Sequence, residues 1–146
     1  MTPQTLSTAE REARVLRWLS MWLARGCAGL DELFTPDAVY IESWGPEYHG
    51  VATIRHWFTE WNTRGRVLKW QPRRFFHAGD ETVLFWYFQC QMGEKAPSGF
   101  EGMSLVRWAS DGRICFLQEF GCEDHRYNPY ASGPEPVFRD EKTKWY

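Results

Sequence analysis

Thr82–Met92, TVLFWYFQCQM, reads as one continuous apolar strand, too hydrophobic to have a wet face along its middle. AGDE (Ala78–Glu81) precedes it as a turn. Before the turn, Val67–His77 is a strand that Pro72 interrupts, so it belongs at an edge or carries a bulge there. Downstream, the loop GEKAPSG leads to a third strand over Phe100–Trp108. SDGR (Ser110–Arg113) makes a hairpin turn, and Ile114–Cys122 is a fourth strand. Long strands joined by tight turns make an antiparallel meander.

Upstream the period is that of helices. Ser7–Glu10, STAE, is a capping box, with Ser7 as N-cap and Glu10 three positions on. Val15, Trp18, Leu19, Trp22 and Leu23 recur at three- and four-residue steps, so this helix has one apolar face. Gly26 stops it, beside Arg25. A short helix over Leu30–Phe34 ends at Pro36, Ala38–Trp44 alternates as a strand, and GPEYHG is a turn. Val51–Arg64 is a helix with an aromatic stripe, closed by Gly65. Helices on one face of a curved antiparallel sheet predict an α+β fold, a single domain over 1–146 with its core at about 8–130 and a tail over 131–146. A sheet wrapped around N-terminal helices forms a cone-shaped barrel whose mouth admits a small molecule.

Composition excludes several functions. The chain has 146 residues, and 17 Lys+Arg against 19 Asp+Glu leave a net charge of −2, so nothing attracts a nucleic-acid backbone. Its 9 Trp, 10 Phe and 6 Tyr could stack bases, but stacking platforms need cationic grooves. No apolar run approaches the ~20 residues of a membrane span. The opening MTPQTLSTAERE lacks a signal peptide's apolar stretch, which predicts a cytoplasmic protein. Cys27, Cys90, Cys115 and Cys122 form no CxxC pair, and four reduced thiols are expected. No His, Asp or Glu residues show zinc-ligand spacing, and SDGR is a turn rather than a phosphate cradle, so neither metal nor cofactor is expected.

An N-terminal helix followed by LFTPDAVYIESWGPEYHGVATIRHWFTEW, AGDETVLFWYF and MSLVRWASDGRICFLQEF resembles the nuclear transport factor 2-like superfamily, in particular its SnoaL-like (polyketide cyclase-like) branch. The similarity covers about Glu10 to Tyr130 and continues into Glu119, Phe120, His125, Pro129 and Tyr130, which resemble an "EF…H…PY" ending of uncharacterised bacterial members. Members include isomerases, cyclases, epoxide hydrolases, dehydratases and proteins with no catalysis, so the resemblance implies the fold more strongly than a reaction.

Two carboxylates are the candidate catalytic groups. Alternation sets Tyr40, Glu42 and Trp44 on one strand face. The resemblance to ketosteroid isomerases implies a catalytic base on this strand, and Glu42 lies eight positions before Gly50, close to the family's spacing. A carboxylate between Trp rings is desolvated, its pKa rises, and it can act as acid or base. The structural alternative is a Glu bonded to an Arg or a backbone amide to close the cone. By the same family register, Cys115, Leu117, Glu119 and Gly121 point inward while Phe116, Gln118 and Phe120 point outward. Glu119 is therefore the second carboxylate, unless a one-residue slip turns it out or it serves a structural pair with an Arg. The isomerase-type oxyanion hole is missing: its positions hold Trp18 or Leu19, and Ser104. The Asp-Arg-Asp pattern of epoxide hydrolases has no match either.

The pocket wall is expected from Tyr40, Trp44, Trp18, Trp22, Trp57, Trp61, Leu84, Trp86 and Phe88, with Ser104, Leu117 and His49 completing it. The ligand is then small and mostly apolar, cyclic ones included. Two readings stay open. One is acid–base catalysis of an isomerase, cyclase or hydratase type; the other is a non-catalytic ligand-binding or dimerisation domain. A cavity of ~300 Å³ or more between Glu42 and Trp86 separates them. Val83, Phe85, Tyr87, Phe116 and Phe120 also make the outer sheet face apolar, which predicts a homodimer through that face.

Overall fold

A computed structural model describes residues 6–123 and 125–139. In chain order the elements are helix α1 (Thr8–Ala24), helix α2 (Leu30–Leu33), strands β1 (Phe34–Ile41) and β2 (Glu47–His49), helix α3 (Val51–Arg64), and strands β3 (Gly65–Ala78), β4 (Glu81–Met92), β5 (Ser98–Trp108) and β6 (Ile114–Glu123). The strands form a six-stranded sheet in the order β2-β1-β6-β5-β4-β3. The sheet is curved and unclosed, and the helices cover its inner face, so the architecture is α+β. The last residues of the expected tail, 140–146, lie outside the described residues.

The local signals act as chemistry requires. The Ser7 side chain accepts the Glu10 amide at 3.1 Å and so satisfies one of the free N–H groups of the first turn. At the other end Arg25, not Gly26, takes the left-handed conformation (φ 60°), and the Gly26 amide reaches back to the Met21 carbonyl at 3.1 Å. The Arg25 guanidinium is tied to the Asn62 carbonyl at 2.7 Å, which holds this residue in place against α3. Pro72 behaves as its chemistry demands: β3 is an edge strand, and its pairing with β4 shifts between Pro72 and Arg74.

Three features differ from the sequence expectation. The sheet is not wholly antiparallel, because β1 runs parallel to β6, pairing Tyr40 with Leu117 and Ile41 with Gln118. The early strand begins at Phe34 instead of Ala38, with Pro36 falling where the β1–β6 register breaks, between Phe34 and Val39. It also ends at Ile41, so Glu42 and Trp44 belong to the following turn, closed by the Glu42 amide on the Pro46 carbonyl at 2.9 Å. The stretch read as turn, GPEYHG, supplies β2, which pairs back on β1.

The core lies between α1, α3 and the inner sheet face. Trp18, Tyr40, Ile54, Leu84, Trp86, Val106, Ile114 and Leu117 are all buried there. Trp18 meets Phe34 and Tyr40 edge-on, and Trp22 packs on Phe58 with centroids 4.4 Å apart.

Gly102 is needed for close approach. It pairs with Trp86 on one side and Gly121 on the other, and a Cβ there would sit 2.5 Å from the Trp86 ring and against the Phe120 carbonyl. Backbone cannot give way cheaply. Gly102→Ala is therefore expected to cost on the order of 2 kcal/mol, the overpacking range, readable as a lower urea midpoint at unchanged slope.

The outer face is apolar but not bare. Arg74 lies over Phe76 (4.5 Å), Arg107 over Phe116 (4.8 Å) and Arg73 over Tyr87 (5.7 Å). These guanidinium planes cover rings that the sequence alone leaves facing water.

Candidate functional site: two carboxyl groups in an aromatic cavity

The parallel register of β1 and β6 brings the two candidate acids together. Tyr40 pairs with Leu117 and Ile41 with Gln118, so the next step along both chains places Glu42 beside Glu119. Both line a cavity of about 190 Å³ under the open end of the sheet. Trp22 from α1, Trp57 and Trp61 from α3, and Trp70, Trp86, Phe88 and Phe100 from the sheet make most of its wall. The volume is below the ~300 Å³ at which ordinary ligand pockets begin. It still exceeds the ~150 Å³ of an engineered cavity in another protein that takes benzene. The interior is neither filled nor roomy.

The carboxyl groups have different surroundings. Burial pushes Glu119 up to about 8; the Tyr40 hydroxyl opposes this by hydrogen bonding to it, and the neighbouring Glu42 charge adds to it. Trp18 Nε1 donates to that hydroxyl at 3.3 Å, which leaves the tyrosine proton free to point at Glu119. Burial likewise raises Tyr40 well above its usual value, so it stays a donor at neutral pH. Burial also raises Glu42, but the Tyr48 hydroxyl donates to its Oε2 at 2.6 Å, and Trp44 and Arg64 favour its charged form. Because the two groups sense each other, their titrations belong to the pair. Burial weighs more on Glu119, the more enclosed of the two.

Several residues expected in the wall are there: Tyr40, Trp22, Trp44, Trp57, Trp61, Trp86 and Phe88. Trp44 is 78% exposed and stands at the mouth. Others are elsewhere. Trp18, Leu84 and Leu117 are buried in the packed core and do not reach the cavity, because each points into the layer between α1 and the sheet. Ser104 is buried behind the wall, its hydroxyl accepting Trp86 Nε1 at 2.9 Å. His49 is exposed on β2 and pairs with Glu47 at 3.1 Å. Cys115, expected inward, is the extra residue where the β5–β6 pairing steps from Arg107–Phe116 to Trp108–Ile114, so Ile114 takes the inward place.

The residues missed are Trp70, Phe100, Cys90, Met92 and Ser43. A cross-strand signal could have found two of them, since Phe88 pairs with Trp70 on one side and Phe100 on the other. No group of three or more His, Cys, Asp or Glu among the described residues is arranged to hold a metal. No helix among them is long and apolar enough to cross a membrane. The four cysteines are unpaired.

The SnoaL-like domain matches residues 15–117, most of the chain. The chain belongs to the SnoaL-like family. No curated protein matches it by sequence. Its fold is shared by solved structures at low identity. A hypothetical protein with ketosteroid isomerase-like fold from Catenulispora acidiphila, in complex with trimethylamine, is 18% identical with a TM-score of 0.63, covering 73% of this chain and 83% of that one. A steroid delta-isomerase from Pseudomonas aeruginosa is 22% identical (TM-score 0.58; 83% and 85% covered). An epoxide hydrolase-like structure from M. tuberculosis is 16% identical (TM-score 0.71; 82% and 83% covered). This SnoaL-like chain thus shares its fold with isomerases and hydrolases. The two positions where the isomerase resemblance calls for an oxyanion hole are engaged otherwise, Trp18 with Tyr40 and Ser104 with Trp86.

Proposed function

We propose that the chain binds a compact, mostly apolar molecule in the aromatic cavity and exchanges protons with it through Glu42 and Glu119. One observation carries this reading: two neighbouring carboxyl groups, in different surroundings, line one small aromatic cavity. Such a pair supplies a base and an acid at the same pH. Glu42, held by the Tyr48 hydroxyl, takes a proton from the ligand, while Glu119, pushed up to about 8 and aligned by Tyr40, gives one to an oxygen or carbon that gains electron density. Return of each proton resets the pair, as an isomerisation, cyclisation or hydration requires. The cavity volume limits the ligand to about the size of one ring system.

A thermal-shift panel of one-ring ketones, lactones and alcohols tests the binding half. A true ligand at about 100 times its dissociation constant adds ~2.7 kcal/mol. Cys90→Phe, which puts a ring into the cavity from β4, should abolish that shift. A panel without a single stabilising compound, or hits indifferent to Cys90→Phe, would contradict the reading.

Association through the outer face is a second proposal, with another copy of the chain as the partner. Phe76, Phe85 and Phe120 remain 45%, 42% and 42% exposed between the covering arginines. Light scattering at micromolar concentration should give twice the chain mass, and Phe120→Arg should halve it. A wild-type monomer would end the proposal.

A further inference from the structure

We infer that the molecule this cavity takes is a small organic cation, a protonated or methylated amine lodged among the indole rings and facing Glu42 and Glu119. The inference rests on the ligand-binding half of that reading, names its ligand class, and gives the two carboxyls the part of counter-ions to it. Among the described residues, the ionisable carboxyls on the wall are Glu42 and Glu119, with no Lys, Arg or His beside them there. Among the described residues, what bears on Glu119 is burial, Tyr40 and Glu42. Arg64, the cation that bears on Glu42 among the described residues, is committed to Glu60 through two hydrogen bonds of 2.7 and 2.9 Å. An ionised Glu42 on this wall has no counter-ion dedicated to it, and a neutral ligand would not supply one. An ammonium would.

The rest of the wall suits the same charge. Trp57, Trp61 and Trp86 line the cavity, and indole π systems attract an ammonium and its methyl groups. The indole N–H groups of Trp22 and Trp70 are buried without a nitrogen or oxygen partner, and their surroundings are other rings, Trp61 and Trp70 about Trp22, Trp86 and Phe88 about Trp70. Donation to those rings is the weak bond open to them. The cavity is therefore walled by π systems with acid at one end.

The proposal has a pH signature. The groups that bear on the acids are Tyr40, Tyr48, Arg64 and the two carboxyls themselves, with Cys90 as the other ionisable group on the wall. Tyr40, Tyr48 and Cys90 are all raised above their usual values and Arg64 above its own, and Glu119, pushed up to about 8, changes charge within the range tested. A bound cation favours the ionised Glu119. A permanently charged ligand should bind more tightly as pH rises and release a proton when it binds below pH 8.

Calorimetry on the full chain with choline, and with the neutral alcohol in which carbon replaces its nitrogen, tests this at pH 6.5 and 8.5. Choline should bind at least ~10-fold more tightly than its isostere, and the gap should widen at the higher pH. At pH 6.5 the heat should depend on the buffer's ionisation enthalpy, as proton release demands. The E42Q/E119Q variant should bind both probes alike. If it fails to fold, the wild-type comparison and E42Q alone, which narrows the gap, decide the matter. Equal or weaker choline binding overturns the cation and leaves the small-molecule reading standing. If neither probe binds and the neutral one-ring panel is also silent, both fall.

Discussion

Raising the pH from 5 to 8 should destabilise the protein, and Glu119→Gln should remove most of that slope. The Glu119 carboxyl ordinarily titrates at 4.5, and burial raises it to about 8 in the folded chain. Between those values the native state holds a proton that the unfolded chain has released. Stability is therefore complete below about pH 4.5 and declines as pH climbs through 8. The gap sets a ceiling of about 5 kcal/mol. The surface that Glu119 turns to the cavity brings the effect down to a few. Glu42, raised for the same reason, contributes in the same direction. Urea midpoints of wild type and Glu119→Gln across this range check it. Parallel curves for the two proteins would show that Glu119 titrates alike folded and unfolded.

Glu42→Gln should leave the fold nearly intact while removing turnover. Glu42 makes no ion pair among the described residues; its close partner is the Tyr48 hydroxyl at 2.6 Å, which an amide oxygen accepts equally well. The variant is expected to melt within about 1 kcal/mol of wild type. Had Glu42 closed a buried ion pair, the loss would be on the order of 3 kcal/mol. Its titrating proton is gone, so turnover of a substrate found through the panel should fall at least ~10²-fold. A large loss of stability with turnover preserved would make Glu42 scaffold.

Much of this was legible because it is local. The capping Ser7, the bounds of α3 at Val51 and Arg64 and the bulged edge at Pro72 follow from residues a few positions apart. The parallel β1–β6 pairing was not, since nothing near Tyr40 announces a partner at Leu117. That pairing is what sets Glu42 beside Glu119, so the acids could be named singly but not as neighbours. The wall was divided the same way. Trp22 and Trp61 declare themselves by helical spacing. Trp70 and Phe100 enter only through cross-strand register with Phe88. Trp18 looks like wall by spacing, but its indole is spent on Tyr40 and buried. On the outer face Arg74 shares its side with Phe76 by alternation, two positions apart on β3, whereas the cover of Phe116 by Arg107 comes only through the β5–β6 register.

The most direct test of the central claim, that one of two cavity carboxyls keeps its proton at neutral pH, is an NMR titration of the glutamate side-chain carboxyl carbons. One resonance should titrate near pH 8, vanish in Glu119→Gln, and move when Glu42 is replaced by Gln. If every glutamate carboxyl has finished titrating by about pH 5.5, within the ordinary range for that side chain, the cavity holds two charged acids and the acid–base account is wrong.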